Sequence, residues 1–198
     1  MPHLILKLEV FIMEQKYDDQ PFRVVMFVSR NKDNSNINGF KPRVHSFLTQ
    51  KNLLQLYREF KKFSNDGVRG ESSRMYVSVN ERNHYVVLRN LQHYIIDHPD
   101  INLAKIDNLI ASLSTKPGTA KTKRWLFDFD YNDLTLVHEF INDLISCGVN
   151  YRKISLSKTP NGFAVVTEHG FDTRNLLNKW EKVELKRDGM LFIKLICR

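Results

Sequence analysis

The sequence predicts an α+β fold, with an antiparallel or mixed sheet and helices on one of its faces. Two observations lead to this prediction. Short segments in which apolar and polar residues alternate, typical of strands, follow one another in pairs, and segments with apolar residues at helical spacing separate them. The chain has 198 residues, of which 42% are hydrophobic. It is therefore long enough for one good core or two small lobes.

Residues 1–122 are predicted to form an N-terminal lobe of the same domain. Two strands joined as a hairpin open it, a polar loop follows, and Thr49 is the expected N-cap of the first helix. The predicted elements are strands over 4–12, 22–29 and 74–80, a loop over 31–39, and helices over 53–63, from about 83 to 95 and over 101–113. Pro117 and Gly118 mark the break before the next lobe.

Residues 123–198 are predicted to form a second lobe that begins with a buried strand. Asn132 or Asp133 is expected to cap the helix that follows, and Gly148 to end it. The predicted elements are strands over 123–130, 151–157, 163–167, 183–186 and 191–196, helices over 133–147 and 172–180, and tight turns over 160–162 and 187–189.

Two carboxylates end the first strand of this lobe. Side chains alternate across a strand, so Asp128 and Asp130 share one face while Phe127 and Phe129 take the other. Two acids on one face repel each other, and a divalent cation between them offsets that repulsion. The alternative is a strand end at the surface, where both acids are hydrated or paired with lysines.

Charge and cysteine content narrow the class of protein. The formal net charge of +8 predicts a polyanionic partner, nucleic acid or nucleotide, although basic proteins without such a partner are also common. Cys147 and Cys197 are too few and too far apart for a disulfide framework or a zinc site. Apolar runs are too short for a signal peptide or a membrane span, so a cytoplasmic protein is expected.

The order of three short motifs resembles the archaeo-eukaryotic primase (primase-polymerase) superfamily, in particular small phage-encoded members. The motifs are the Asp128 and Asp130 strand end, the hairpin Lys158-Thr159-Pro160-Asn161-Gly162-Phe163, and the late strand Val183-Glu184-Leu185. The resemblance runs from Arg124 to the C-terminus, with residues 74–83 as a weaker upstream match. It implies a primase/RRM-like catalytic core, a role in DNA replication and, for a phage protein, the host cytoplasm.

The resemblance also implies roles for single residues. Asp128, Asp130 and Glu184 would be the catalytic carboxylates that bind Mg²⁺ or Mn²⁺, with Asp188 as a less favoured substitute for Glu184. Lys158, Thr159, Gly162 and position 164 would bind the nucleotide phosphates. The implied partners are nucleoside triphosphates and nucleic acid, and the implied activity is nucleotidyl transfer.

Position 164 departs from the family pattern. The family has histidine directly after the aromatic residue of the hairpin, whereas this chain has Ala164. A methyl group donates no hydrogen bond, so a charge-assisted contact worth roughly 1.5–3 kcal/mol would be absent. His169 lies five positions further on, beyond the predicted strand end. If the resemblance holds, the chain is a divergent member that uses Lys158 and the turn amides, a degenerate binding module, or a deliberately disabled variant.

Three other classes of function compete with this interpretation. A phosphatase of the haloacid-dehalogenase type has Thr or Val two positions after the second acid, where this chain has Asn132. A glycosyltransferase also uses Asp-x-Asp, but the chain is short for that fold. The strongest competitor is a non-catalytic, basic protein that binds nucleic acid or another partner on a primase-like scaffold.

Overall fold

The structure, a computed structural model, describes residues 20–198. Within them the chain forms two four-stranded sheets, in the strand orders β2-β1-β3-β8 and β5-β6-β4-β7. The strands are β1 Arg23–Ser29, β2 Arg43–Thr49, β3 Ser72–Ser78, β4 Arg124–Phe129, β5 Ser155–Lys158, β6 Phe163–Glu168, β7 Val183–Lys186 and β8 Met190–Cys197. The α-helices are α1 Leu53–Asn65, α2 His84–Asp97, α3 Ile106–Ser114, α4 Leu134–Ser146 and α5 Arg174–Lys179.

The predicted α+β class is confirmed, and every strand pair in the two sheets is antiparallel. Strand β8 belongs to the predicted lobe 123–198, yet it pairs with β3 of the first sheet. The strand predicted over residues 4–12 lies outside the described residues. No helix within residues 20–198 has both the length and the apolar character needed to cross a membrane.

The first sheet packs one face against α1. Val25 and Phe27 of β1 alternate onto this face and contact Leu56 and Phe60 of the helix, and all four side chains are buried. The sequence did not predict β2, because Arg43, His45 and Ser46 interrupt its apolar pattern. Helix α3 flanks this strand, where the Asn108 side chain accepts a hydrogen bond of 3.0 Å from the Ser46 amide.

The N-cap predicted for α1 is wrong. The helix begins at Leu53, and the side chain of Asn52 accepts a hydrogen bond from the Gln55 amide while the Gln55 side chain accepts one from the Asn52 amide. This reciprocal pair satisfies two amides that have no partner inside the helix. Thr49 is instead the last residue of β2, and its hydroxyl accepts from the Lys51 amide.

An ion pair with a buried carboxylate joins β2 to the residue before β3. The Arg43 guanidinium donates to the Glu71 carboxylate, with 3.0 Å from Nε to Oε1, and the Val68 amide donates to the other oxygen at 2.9 Å. Burial acts to raise the pKa of Glu71, but the hydrogen bonds from Arg43 and Val68 outweigh it and hold that pKa below its ordinary value. Glu71 is therefore ionised in the folded protein at neutral pH.

The second sheet packs one face against α4 and α5. Phe127 and Phe129 of β4 are fully buried among Phe140 of α4 and Trp180, which follows α5. Asp133 is the N-cap of α4, as predicted. The strand predicted from Tyr151 is shorter than expected, because residues 151–153 form a 3₁₀ turn and β5 begins only at residue 155.

A polar network holds the two sheets together at the turn between β7 and β8. The Arg82 side chain is fully buried and donates two hydrogen bonds, of 2.7 and 2.9 Å, to the Asp188 carboxylate. Asn80 donates to the same carboxylate at 3.0 Å and also to the Arg124 carbonyl at 3.1 Å. Asp188 therefore neutralises a buried guanidinium, which explains its place in the turn without a metal.

Candidate functional site

The candidate site is a cleft of about 500 Å³ between the two sheets. One wall comes from the face of the second sheet that lies opposite α4 and α5, and the other from the first sheet. Among the described residues, the charged side chains that line the cleft are Arg30, Lys32, Arg74, Asp128, Asp130 and Lys186.

The predicted placement of Asp128 and Asp130 agrees with the structure. Phe127 and Phe129 point into the core beneath α4, and both acids line the cleft on the other face. Asp128 is partly buried and Asp130 is exposed. The Asp130 amide donates to the carbonyl of Lys182 at 3.0 Å, which extends the pairing of β4 with the chain segment before β7. The strand end is therefore fixed by its backbone while both carboxylates stay accessible.

Glu184 lies directly opposite Asp128 on the neighbouring strand β7. Lys186, two residues further on the same strand, joins the two acids. Its Nζ is 2.5 Å from Asp128 Oδ2 and 3.1 Å from Glu184 Oε2. Partial burial acts to lower the pKa of Lys186, but its contacts with Asp128 and Glu184 outweigh burial and raise that pKa. An ammonium ion thus occupies the position between two of the three predicted metal ligands.

The described part of the chain contains no group of three His, Cys, Asp or Glu side chains arranged to hold a metal ion. Lys186 instead contacts both Asp128 and Glu184. Mg²⁺ is often held by one or two carboxylates, together with substrate phosphates and water, so a cage of three protein ligands is not required. Asp128 and Asp130 fit that smaller ligand set.

The β5–β6 turn reaches the cleft beside Asp130. Thr159 and Gly162 close the turn, with 3.0 Å from the Thr159 amide to the Gly162 carbonyl and 3.1 Å from the Gly162 amide to the Thr159 hydroxyl. A Cβ at position 162 would lie 2.1 Å from the carbonyl oxygen of Phe129. Only glycine allows this approach, which brings Thr159, Pro160 and Asn161 to the edge of the cleft.

Lys158 does not lie with the other predicted phosphate-binding residues. It pairs with Phe163 across the hairpin, and its ammonium lies 4.1 Å from the centroid of the Phe163 ring. Its Nζ also donates to the side chain of Asn132. Ala164 is one residue further along β6 and therefore belongs to the opposite face. Lys158 is thus on the helix side of the sheet and does not line the cleft.

Ala164 lies on the floor of the cleft, directly opposite Asp128. It is only 3% exposed and packs with Leu126, Val166 and Leu191 where the two sheets meet. The position therefore faces the acids, as the sequence resemblance implies, but its surroundings are apolar and closely packed. A larger side chain there must either extend into the cleft or displace this cluster.

The opposite wall of the cleft is basic, and the sequence did not predict it. Arg30 and Arg74 both donate to the Asp33 carboxylate, at 2.6 and 2.5 Å, and Lys32 lies beside them. Burial acts to raise the pKa of Asp33, but its hydrogen bonds with the two arginines outweigh burial and lower that pKa. Alternation within Arg74-Met75-Tyr76 was the available signal, since it puts Arg74 and Tyr76 on one face.

A larger cavity, of about 700 Å³, opens between the start of β1, α1 and Arg124. Its walls are mainly apolar, and none of the predicted site residues lines it. We place the candidate site in the smaller cleft because the paired carboxylates and the facing cations lie there. No protein-family model, curated protein or solved structure matches the chain.

Proposed function

We propose that the chain is a divalent-metal-dependent nucleotidyltransferase of the primase-polymerase type, acting on nucleoside triphosphates and nucleic acid. One observation carries the proposal: two carboxylates on one wall of a cleft face three cationic side chains on the other. Phosphoryl and nucleotidyl transfer need this combination, because carboxylates hold cations and basic side chains bind the negatively charged phosphates.

Asp128 and Asp130 are the residues that would hold Mg²⁺ or Mn²⁺. The ion, when bound, activates the attacking hydroxyl and neutralises charge on the leaving pyrophosphate. Glu184 is the proposed third carboxylate, and it can take part only if Lys186 gives up its contact at 3.1 Å. Lys186 would otherwise remain with Asp128 and compensate part of the negative charge at the strand end.

The phosphate contacts proposed for this cleft differ from those that the resemblance implies. Lys158 lies on the other face of the sheet, and Ala164 has no hydrogen-bond donor in its side chain. Arg30, Lys32 and Arg74 supply the positive charge instead. Thr159 is at the edge of the cleft, although its hydroxyl already accepts a hydrogen bond from the turn. The basic wall therefore takes over the role of the missing histidine.

The test is nucleotide incorporation on a template with Mn²⁺, with and without a primer, by the wild-type chain and by Asp128→Asn and Asp130→Asn. Both variants are expected to lose incorporation and to bind Mn²⁺ more weakly in calorimetry. Asp172→Asn is the matched control, because this exposed acid pairs with nearby Arg174 outside the cleft. No incorporation by the wild type, or full activity in both variants, would refute the proposal.

A non-catalytic protein that binds nucleic acid is the second candidate, and two contacts favour it. Lys186 already occupies the space between Asp128 and Glu184, and Ala164 is packed among apolar side chains. Ala164→His distinguishes the candidates. A gain in triphosphate binding and incorporation supports the enzyme. Unchanged nucleic-acid binding in Asp128→Asn, with no gain from histidine, supports the binding protein. Overpacking by the ring would cost about 1–3 kcal/mol of stability.

A further inference from the structure

The wall of the cleft that faces the acids carries a row of large side chains. Met26 of β1 pairs with Tyr76 of β3, and Tyr76 pairs with Phe192 of β8, so the three cross three neighbouring strands side by side. All three line the cleft, whereas α1 packs against the other face of this sheet. We call these three residues, one methionine and two aromatic residues, the aromatic row.

The two rings of the row remain partly exposed. Their centroids are 5.8 Å apart, and the planes meet at 73°, an edge contact in which neither ring stacks flat on the other. Tyr76 lies on the inner strand β3 and Phe192 on the edge strand β8, and half-buried aromatic side chains on a sheet offer flat surfaces on which unpaired bases stack. Met26 extends this surface with a flexible, polarisable side chain.

Positive charge lies along the same surface. The Arg74 guanidinium is 5.9 Å from the centroid of the Phe192 ring, and Asp33 holds both Arg74 and Arg30 in place. Asp33 compensates only one of these two charges, and Lys32 adds a third. A backbone of phosphates along this edge would therefore meet a net positive potential.

We infer that this wall binds a single strand of nucleic acid, with bases stacked on Tyr76 and Phe192 and phosphates beside Arg30 and Lys32. That the partner is nucleic acid rests on the proposed function. The inference adds that the nucleic acid is single-stranded and that it binds on this wall of the cleft. Bases in a duplex are stacked on each other and have no free face for the aromatic row. Asp130, on the opposite wall, repels phosphates as long as it holds no metal ion, and this favours their position on the basic side.

The experiment is fluorescence anisotropy with a labelled oligothymidylate, an oligouridylate and a duplex, over a range of salt concentrations. Tyr76→Leu and Phe192→Leu are each expected to weaken single-strand binding about fivefold or more, because each removes a stacking surface. Tyr76→Phe keeps the ring and should keep the affinity. Lys32→Gln should weaken binding and reduce its salt dependence. Tyr85→Ala removes an exposed aromatic side chain on α2 and is the matched control.

Thermal unfolding identifies variants that have lost the fold. Wild-type affinity in folded Tyr76→Leu and Phe192→Leu, or tighter binding of the duplex than of both single strands, would overturn the inference. Asp128→Asn separates this result from the proposed function, because it should abolish incorporation and leave single-strand binding intact. Loss of binding in the row variants without any wild-type incorporation would refute the enzyme and retain the nucleic-acid surface.

Discussion

Lys186→Met is expected to strengthen the binding of Mn²⁺ to the cleft. In the wild type the ammonium group of Lys186 lies between Asp128 and Glu184, so a metal ion has to displace this group before both carboxylates become available. Methionine keeps most of the aliphatic chain but removes the charge. The two carboxylates are then left without their counter-ion, and an added cation compensates their repulsion.

The size of the effect follows from exposure. The side chains of Lys186 and Asp128 are 34% and 32% exposed, so solvent screens their attraction, and such a pair contributes about 0.2–1 kcal/mol. Glu184 is 71% exposed and adds little. Without competition from the ammonium group, the free energy of Mn²⁺ binding should become more favourable by up to this amount, which corresponds to an affinity up to about fivefold higher.

Calorimetric titration with Mn²⁺ at neutral pH measures this change directly. The matched control is Lys153→Met, since Lys153 also bonds a carboxylate, that of Glu168, at 2.5 Å but outside the cleft. The control should leave Mn²⁺ affinity unchanged. An equal or weaker affinity in Lys186→Met would refute the idea that the lysine competes for a cation site. If Asp128→Asn nevertheless abolished Mn²⁺ binding, the metal would still be located at Asp128.

Three further substitutions test contacts that shape the site. Asp188→Ala leaves its buried guanidinium partner unpaired and should lower the free energy of unfolding by about 3 kcal/mol, the low end of the usual range because Asp188 is 36% exposed; urea unfolding measures it. Gly162→Ala should lower the free energy of unfolding by about 1–3 kcal/mol or more in the same assay, since the new methyl group meets the Phe129 carbonyl. The hydrogen bonds from Arg43 lower the pKa of Glu71 in the folded protein. The ionised Glu71 therefore stabilises the fold at pH values above 4.5, its ordinary pKa, and this stabilisation is lost as the pH falls through the lowered pKa. Thermal unfolding of the wild type should therefore show an acid-induced loss that Glu71→Gln reduces.

Matched substitutions define what would contradict two of these expectations. Asp172→Ala removes a solvent-exposed ion pair and should change stability much less than Asp188→Ala. A similar small effect for Asp188→Ala would contradict the role given to the polar network. In Gly118→Ala the backbone is strained by a positive φ of 86°, but the new methyl group meets no atom of residues 20–198 within 4 Å, so it should cost less than Gly162→Ala. The reverse order would contradict the close approach to β4.

Local patterns in the sequence identified the strand end with its two acids. The period of two along a strand places Asp128 and Asp130 on one face and Phe127 on the other, whatever the rest of the fold does. The same rule applied to Val183-Glu184-Leu185-Lys186 puts Lys186 on the face of Glu184. The sequence alone does not show that Asp128 lies opposite Glu184, because that register depends on residues more than fifty positions apart.

Alternation along β3 could place Arg74 and Tyr76 on one face, but the complete basic wall could not be predicted, because its residues come from distant parts of the chain. Arg30 follows β1, Arg74 lies in β3 and Phe192 in β8, and only the pairing of these strands brings them together. Strand β2 was missed for a related reason. Its polar residues hide the apolar alternation, and the pairing with β1 stabilises it regardless of local preference. The hairpin motif indicated that Lys158 binds phosphates, but the alternation of side chains along the hairpin places Lys158 on the face of the sheet away from the cleft.

The pairing of β8 with β3 also determines when the cleft can exist during folding. Ser72 and Cys197, which face each other in this pair, are separated by 125 positions in the chain. Contacts of such long range form late, because the loss of chain entropy precedes the gain from pairing. The segment between them contains the entire second sheet. The wall that carries Asp128, Asp130 and Lys186 comes from this second sheet, so it can form before β8 pairs with β3 and completes the facing wall.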